Sequence, residues 1–206
     1  MNPKIRNLKV EILSDNWYML RKATFDYQQK DGSWQTQSRE AYDRGNGAAI
    51  LLYNNDAKTV ILTRQFRLPT YLNGNETGMM IEACAGLLDA DNPEDCIRKE
   101  TEEETGYRIT DVEKVFEVYM SPGSVTEILY FFVASYDKNQ QITEGGGVEG
   151  EEDINVLELD FKDALNKIKT GEIRDAKTIM LLQYAQINGL VTYWRDVKFQ
   201  GCQISK

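Results

Sequence analysis

The chain of 206 residues contains 24 lysine and arginine residues against 33 aspartate and glutamate residues, has no histidine and carries a formal net charge of −9. With 41% hydrophobic and 28% charged residues it has the composition of a globular chain, and no apolar run approaches the roughly 20 residues of a membrane span. The absence of histidine excludes imidazole general bases, and the negative charge disfavours a nucleic acid polymer as partner. Chemistry is therefore expected from carboxylates, lysine, arginine, tyrosine, cysteine or a metal ion.

The cysteine content favours a reducing compartment. Cys84, Cys96 and Cys202 are odd in number and lack the spacing of a metal site. The first residues show no basic and apolar leader of the secretory kind, so we expect a cytoplasmic location.

The first forty residues predict a β hairpin. From Leu8 to Tyr42 the segment is rich in β-branched and aromatic residues, and Lys30-Asp31-Gly32 marks a turn between two strands. The stretch 43–47 breaks this pattern, so we expect residues 1–43 to form the hairpin and residues 44–206 to form the main domain. Such a short piece is too small for a core of its own, so it must pack on the main domain or on a partner subunit.

Short strands alternate with a few helices over the rest of the chain. Strands are predicted at 48–53, 60–66, 79–84, 112–120, 128–136 and 154–159, and helices at 93–105, 161–169 and 177–187. The first helix has clear boundaries, because Asn92-Pro93-Glu94 is a typical start and Gly106 a typical stop. This order indicates an α/β or α+β sandwich with a mixed sheet.

An acidic run on the first predicted helix carries the candidate chemistry. Glu100 and Glu104 lie on one helix face about one turn, or ~6 Å, apart. A divalent cation would turn their repulsion into coordination, and Mg²⁺ suits an oxygen-only site that bridges to phosphates. Glu103 is near enough to add an outer ligand, and the backbone at Ala85-Gly86 lacks bulk, so a carbonyl there could approach the same ion. The alternative is a solvated acidic helix face, which is the commoner meaning of such a run.

The segment from Ala85 to Tyr107 resembles the Nudix box, G-x5-E-x7-R-E-U-x-E-E-x-G-U, in which U is a bulky apolar residue. Aligning Gly106 with the last glycine places the three C-terminal acids of the box at Glu100, Glu103 and Glu104. The positions that differ from the pattern, from the first glycine onward, are Ala85, Asp91, Lys99 and Thr101. These differences affect outer contacts more than the metal ligands.

Further stretches along the chain resemble the nucleotide-sugar branch of the Nudix family. They lie at residues 44–47, 64–67, 82–86, 119–123, 145–149 and 171–178. With the Nudix box, the resemblance extends over most of the chain.

The resemblance implies a Nudix-type α/β/α sandwich with a mixed sheet, preceded by the N-terminal antiparallel β hairpin. It also implies dependence on Mg²⁺ and a homodimer in which the hairpin is exchanged between the subunits. The implied reaction is hydrolysis of the diphosphate bond of a small-molecule nucleotide sugar, with GDP-mannose favoured, to give GMP and mannose 1-phosphate. The alternatives are cleavage of ADP-ribose and a nucleotide-sensing module that binds without cleaving, and the intact acidic cluster argues against the latter.

The resemblance also assigns roles to individual residues. The metal ligands would be the carbonyl of Ala85 and the carboxylates of Glu100, Glu104 and Glu152. The catalytic candidates are Glu103, Glu151 and Glu152, of which Glu152 fits best the late glutamate that binds metal or activates water in related enzymes. The candidates for substrate binding are Arg39, Glu40, Arg67, Ala85, Gly86, Glu104, Glu127 and Lys177.

Each of these roles has a structural alternative. The acidic loop can be merely solvated, Arg67 can form a salt bridge at the end of a strand, and the other candidates outside the Nudix box can be surface charges. Trp17, Tyr18 and Trp34 could stack on a base, but aromatic residues in a hairpin more often form a core or an interface.

Overall fold

The structure of the chain is a computed structural model that describes residues 4–148, 150 and 153–193. The chain divides into two units, Met1–Gly47 with Glu117–Leu129, and Ala48–Phe116 with Tyr130–Lys206. The central segment joins the first unit because the backbone of Tyr42 exchanges hydrogen bonds with Ser124 and Thr126 at 2.8 and 3.1 Å. The division expected from the sequence, at residue 43, does not assign residues 117–129 to the first unit. No local sequence pattern predicts this pairing, because the paired residues lie about 80 positions apart in the chain.

Three antiparallel strands form the N-terminal sheet. They are β1 (Ile5–Asp15), β2 (Met19–Gln28) and β3 (Trp34–Asp43), in the order β1-β2-β3. The turn before β3 falls where the sequence predicts it, with Gly32 at a φ of 87° and the Asp31 carboxylate accepting hydrogen bonds from Ser33. The region nevertheless has one strand more than the predicted hairpin. The reason is that Asp15 and Asn16, which are typical turn residues, divide the first predicted strand in two.

The remaining strands form a seven-stranded sheet. They are β4 (Gly47–Asn54), β5 (Thr59–Phe66), β6 (Met79–Glu82), β7 (Cys84–Leu87), β8 (Glu113–Tyr119), β9 (Ile128–Ser135) and β10 (Asn155–Asp160). The main path runs β10-β5-β4-β9-β8, with β6 paired to β5 and β7 paired to β4. The helices are α1 (Leu68–Leu72), α2 (Pro93–Thr105), α3 (Phe161–Thr170) and α4 (Ala176–Ile187).

Helices cover both faces of this sheet. The first six residues of β4 are buried without alternation, which is the pattern of a strand covered on both sides. Ile97 of α2 packs in one cluster with Phe132 of β9. Phe131 faces the other side, where its ring meets Phe116, which in turn meets Tyr184 of α4. The predicted α/β/α arrangement is confirmed.

Helix α2 begins and ends where the sequence predicts. The Asn92 side chain accepts a hydrogen bond from the backbone N–H of Asp95, and Pro93 occupies the first turn. Gly106 ends the helix at a φ of 78°, a conformation that favours glycine. Among the described residues, no helix has both the length and the apolar character needed to cross a membrane.

Candidate active site

The acidic face of α2 lies against strand β7. Glu104 is only 3% exposed, and its Oε2 accepts a hydrogen bond from the backbone N–H of Ala85 at 3.3 Å. A Cβ atom at Gly86 would overlap the carboxylate of Glu100, so the missing side chain allows Glu100 to lie against the strand. The structure thus brings Ala85, Gly86, Glu100 and Glu104 together.

This group of oxygen donors fits a divalent cation. Two carboxylates one helical turn apart meet a strand whose backbone is open at Gly86, and hard cations prefer oxygen ligands. Within the described ranges, no three acidic or cysteine side chains form a ready-made metal cage. A cation held by Glu100 and Glu104 would therefore complete its coordination with backbone oxygen, water and substrate phosphate, as Mg²⁺ commonly does.

A glycine-rich turn packs on the last turn of α2. The backbone N–H groups of Gly146 and Gly147 donate to the carbonyls of Glu104 and Glu103 at 2.9 and 3.1 Å. Gly145 has a φ of 68°, and a Cβ atom there would lie 2.5 Å from the carbonyl oxygen of Glu104. Only glycine fits at that position, so the acidic loop that follows starts from a fixed point beside the acidic helix.

The acidic loop itself is described only in part. The predicted loop carboxylates Glu151 and Glu152 lie outside the described residues. Glu103, the other catalytic candidate, is half-buried and lines a shallow surface hollow with Lys99 and Ile109.

A second cluster gathers two cations around one buried carboxylate. Glu82, at the end of β6, has a side chain only 4% exposed. Arg67 binds it with two hydrogen bonds, from Nε to Oε1 at 2.9 Å and from Nη2 to Oε2 at 3.1 Å. Lys177 of α4 donates its Nζ to the same Oε2 atom. Burial by itself raises the pKa of Glu82, but Arg67 and Lys177 outweigh it and lower the pKa to about 2.

This cluster is connected to the acidic helix electrostatically. Burial by itself lowers the pKa of Arg67, but the carboxylates of Glu82, Glu104 and Asp175 outweigh it and raise the pKa. Arg67 therefore lies within the field of a candidate metal ligand as well as that of its own partner. No sequence pattern marks Glu82 or Asp175 as a partner of these cations, although Glu82 opens the stretch 82–86 that resembles the nucleotide-sugar branch of the family.

Comparisons with known proteins identify the family of the chain. The family model of the NUDIX domain matches residues 43–182. The chain belongs to the Nudix family. A second family model, described as the GDP-mannose pyrophosphatase NudK N-terminal domain, matches residues 4–42. The segment 85–107 that resembles the Nudix box begins on β7 and ends just after α2, which we call the Nudix helix.

Several curated relatives are similar over nearly the whole chain. The GDP-mannose pyrophosphatases of Escherichia coli (strain K12) and Shigella dysenteriae serotype 1 (strain Sd197) are each 58% identical over 191 residues, which cover 93% of this chain and 100% of the relative. That of Yersinia pestis (strain Pestoides F) is 58% identical over 188 residues, which cover 91% of this chain and 94% of the relative.

The other candidates for substrate binding belong to the first unit. Arg39 and Glu40 are exposed on β3, where Arg39 donates to the carbonyl of Ser38 at 2.7 Å. Glu127 forms an ion pair with Arg44 at 3.5 Å. Their contacts with substrate stay predictions.

The two described cysteines of this Nudix domain are buried and free. Burial and the negative charge of Glu104 raise the pKa of Cys84, and burial and Glu100 raise that of Cys96 to about 12. Both thiols are therefore neutral near pH 7, as expected for cysteines that serve packing.

Proposed function

We propose that the protein hydrolyses the diphosphate bond of GDP-mannose with the help of Mg²⁺ and releases GMP and mannose 1-phosphate. The observation that carries the proposal is the pairing of two sites in one unit: the carboxylates of Glu100 and Glu104 at Ala85, and the cations Arg67 and Lys177 at Glu82. The first suits a metal and the second suits phosphate oxygens. The choice of GDP-mannose rests on the relatives that carry that name.

Different residues bind the metal ion, bind the substrate and accept a proton. A bound Mg²⁺ ion supplies neutralisation of the phosphate oxygens and a lower pKa of the attacking water. Glu100, Glu104 and the Ala85 carbonyl would hold the ion together with the predicted ligand Glu152, and Arg67 with Lys177 would bind the non-bridging oxygens of the diphosphate. The proton of the attacking water passes to a carboxylate, for which Glu103, Glu151 and Glu152 are the candidates.

The choice of Mg²⁺ rests on the donor atoms. Carboxylate and carbonyl oxygens suit a hard cation, and Mg²⁺ usually takes few protein ligands and keeps water and phosphate oxygens for the rest. The few side-chain ligands proposed for this site, Glu100, Glu104 and Glu152, match that mode better than a cage of six or more protein oxygens, which Ca²⁺ favours.

A product assay tests the proposal. GDP-mannose, ADP-ribose and a dinucleoside polyphosphate are incubated with Mg²⁺, with Ca²⁺ and with a chelator, and the products are separated by chromatography. We expect GMP and mannose 1-phosphate, formed only with Mg²⁺ and fastest from GDP-mannose. A strong preference for ADP-ribose would contradict the substrate, and binding without cleavage of any diphosphate would indicate a sensor.

We also propose that the protein is a homodimer that uses the N-terminal sheet as an interface. Strand β1 lies at the edge of its sheet, and ten of its eleven residues are exposed. Its exposed apolar residues are Ile5, Leu8, Val10, Ile12 and Leu13, at 44 to 59% exposure. A long, apolar edge strand is a template for pairing with another chain, and a second subunit would cover it. Light scattering is expected to give the mass of two chains.

The cytoplasmic location stays a proposal based on cysteine content. Cys84 and Cys96 are free thiols in the interior, and Cys202 lies outside the described residues. Intracellular proteins keep thiols reduced, so this state is typical of the cytoplasm. Cell fractionation with thiol labelling of the denatured protein tests both points.

A further inference from the structure

The two cations of the second cluster are fixed by a carboxylate that is itself shielded from solvent. The side chain of Glu82 is 4% exposed, whereas that of Arg67 is 39% exposed and that of Lys177 is 13% exposed. A substrate that arrives from solvent therefore meets Arg67 more readily than Glu82. The Glu82 carboxylate is more shielded than either cation and contacts both of them.

The geometry at Glu82 restricts both partners. Two parallel hydrogen bonds fix the plane of the Arg67 guanidinium, because the fork of arginine matches the two oxygens of a carboxylate. Lys177 has a flexible stem, and it is held from two sides, by Glu82 and by Asp175 Oδ1 at 3.0 Å. The four charges of this cluster sum to zero, so the two cations can lie side by side without a large repulsion.

The same cluster continues to the strand that carries the metal-site carbonyl. Asp175 accepts hydrogen bonds from the backbone N–H and the hydroxyl of Thr178 at 2.9 and 2.5 Å. The Thr178 hydroxyl in turn accepts a hydrogen bond from the backbone N–H of Ala83 at 2.6 Å. Ala83 lies two residues before Ala85, so the start of α4, the cations and the metal-site strand form one connected network.

We propose that Glu82 is a positioning residue for the diphosphate, which holds Arg67 and Lys177 together so that both cations meet the phosphate oxygens in one fixed arrangement. This inference rests on the proposed function, since it assumes that the ligand of the cations is a nucleoside diphosphate. Cations that are already held in place lose little side-chain entropy when phosphate binds. Glu82 is therefore expected to raise the affinity of the protein for the diphosphate. Glu82 acts through the cations and has no contact with the substrate.

A double-mutant cycle tests the proposal. Affinity for GDP is measured by calorimetry without divalent metal, and KM, kcat and the Mg²⁺ concentration for half-maximal activity are measured with GDP-mannose. We expect Glu82→Gln to weaken GDP binding about 10- to 100-fold and to raise KM, with half-saturation by Mg²⁺ unchanged. We expect Arg67→Ala to act similarly, and the double variant to be no weaker than Arg67→Ala within about threefold.

A matched ion pair on the same unit provides the control. Glu102 binds Arg108 with two hydrogen bonds of 2.8 Å in the same bidentate geometry, but this pair is exposed on the far side of α2 from Glu104. Glu102→Gln is expected to leave GDP affinity and KM unchanged. If Glu82→Gln does not fold, Glu82→Asp is used instead, because aspartate keeps the negative charge but has a side chain one methylene group shorter. Its melting temperature is expected near that of the wild type, with an intermediate loss of GDP affinity.

Several outcomes would overturn the inference. The first is an unchanged GDP affinity in Glu82→Gln or, where that variant does not fold, in Glu82→Asp. The second is a double variant in which the losses of GDP affinity from the two substitutions add up. The third is a change in the Mg²⁺ concentration for half-maximal activity with GDP affinity and KM unchanged. Failure of the proposed function is distinguishable from these. A wild-type protein that binds GDP but does not cleave GDP-mannose refutes the reaction and leaves the affinity cycle valid, whereas a wild type that does not bind GDP refutes both.

Discussion

Thr101 shows how one residue can depart from the Nudix box without disturbing the site. It stands where a bulky apolar residue is usual, and it is fully buried. Its hydroxyl donates to the carbonyl of Ile97 at 2.6 Å, so the polar group is satisfied within the helix. Glu104, three residues further on and therefore a neighbour of Thr101 on the helix surface, still accepts its hydrogen bond from the backbone N–H of Ala85.

The variant Glu104→Gln tests the acidic cluster at the residue scale. The amide keeps nearly the same shape but loses the charge that a cation needs, so kcat should fall by more than about 100-fold. Steady-state hydrolysis of GDP-mannose measures this loss, and circular dichroism checks that the variant is folded. Glu102→Gln on the same helix serves as the control and is expected to retain wild-type turnover. Retained turnover in Glu104→Gln would remove Glu104 from the metal site.

The pH dependence of stability tests the charged state of Glu82. The pKa of Glu82 is about 2 in the folded chain against an ordinary value of 4.5, so ionisation stabilises the fold by about 3 kcal/mol above pH 4.5. This contribution should decline as the pH falls from about 5 toward 2, where the folded carboxylate gains its proton. Urea unfolding of the wild type and Glu82→Gln over this range measures the difference between their free energies of unfolding. A difference independent of pH would contradict the assignment.

Strand β7 and the Nudix helix are in close contact. The contact depends on Gly86, since a side chain there would occupy the space of the Glu100 carboxylate. The helix is fixed in register by its caps at Asn92 and Gly106. Glu100 therefore meets the strand at one position, and the acidic face cannot slide along it.

The variant Gly86→Ala tests this contact. The added methyl group should displace Glu100 and raise the Mg²⁺ concentration for half-maximal activity by about 10-fold or more, as changes beside a metal ligand do. A magnesium titration of GDP-mannose hydrolysis measures the effect. Gly123→Ala is a suitable control, because a Cβ atom at Gly123 has no neighbour within 4 Å. Equal half-saturation in the two variants would show that Glu100 does not depend on Gly86.

Strand β1 exposes an apolar face that nothing in the described part of a single chain covers. Lys9 to Ile12 pair regularly with β2, so Val10 and Ile12 lie on one face and Lys9 and Glu11 on the other. One face of the edge strand is thus apolar and exposed at 54 and 59%. Such a surface is expected to be covered by a second subunit.

The double variant Val10→Asp with Ile12→Asp tests the dimer. Two charges in an apolar interface cost far more than they do in water, so the dimer should dissociate at micromolar concentration. Light scattering after size exclusion measures the mass. Lys9→Glu, on the opposite face of β1, is the control and should remain dimeric if the apolar face forms the interface. A wild type with the mass of one chain would refute the dimer itself.

The sequence by itself determined the local features of this protein. The caps of α2, the pair Glu100 and Glu104 on one helix face, and six of the seven strands of the main sheet follow from patterns within a few residues. The exception is β7 (Cys84–Leu87), which lies beyond the strand predicted at 79–84 except for its first residue. The turn at residues 29–33 also has a clear local signal. The turn after Asp15 has a weaker one, because its residues interrupt a segment that otherwise favours β structure.

Only the tertiary structure decided which distant residues meet. Glu82 binds Arg67, 15 residues away, and Lys177, 95 residues away, and no spacing in the sequence relates these positions. The segment 117–129 joins the first unit through backbone hydrogen bonds that any residue type can make. The physical reason is the same in both cases: the partners are chosen by how the sheet and helices pack, and that packing is a property of the whole chain.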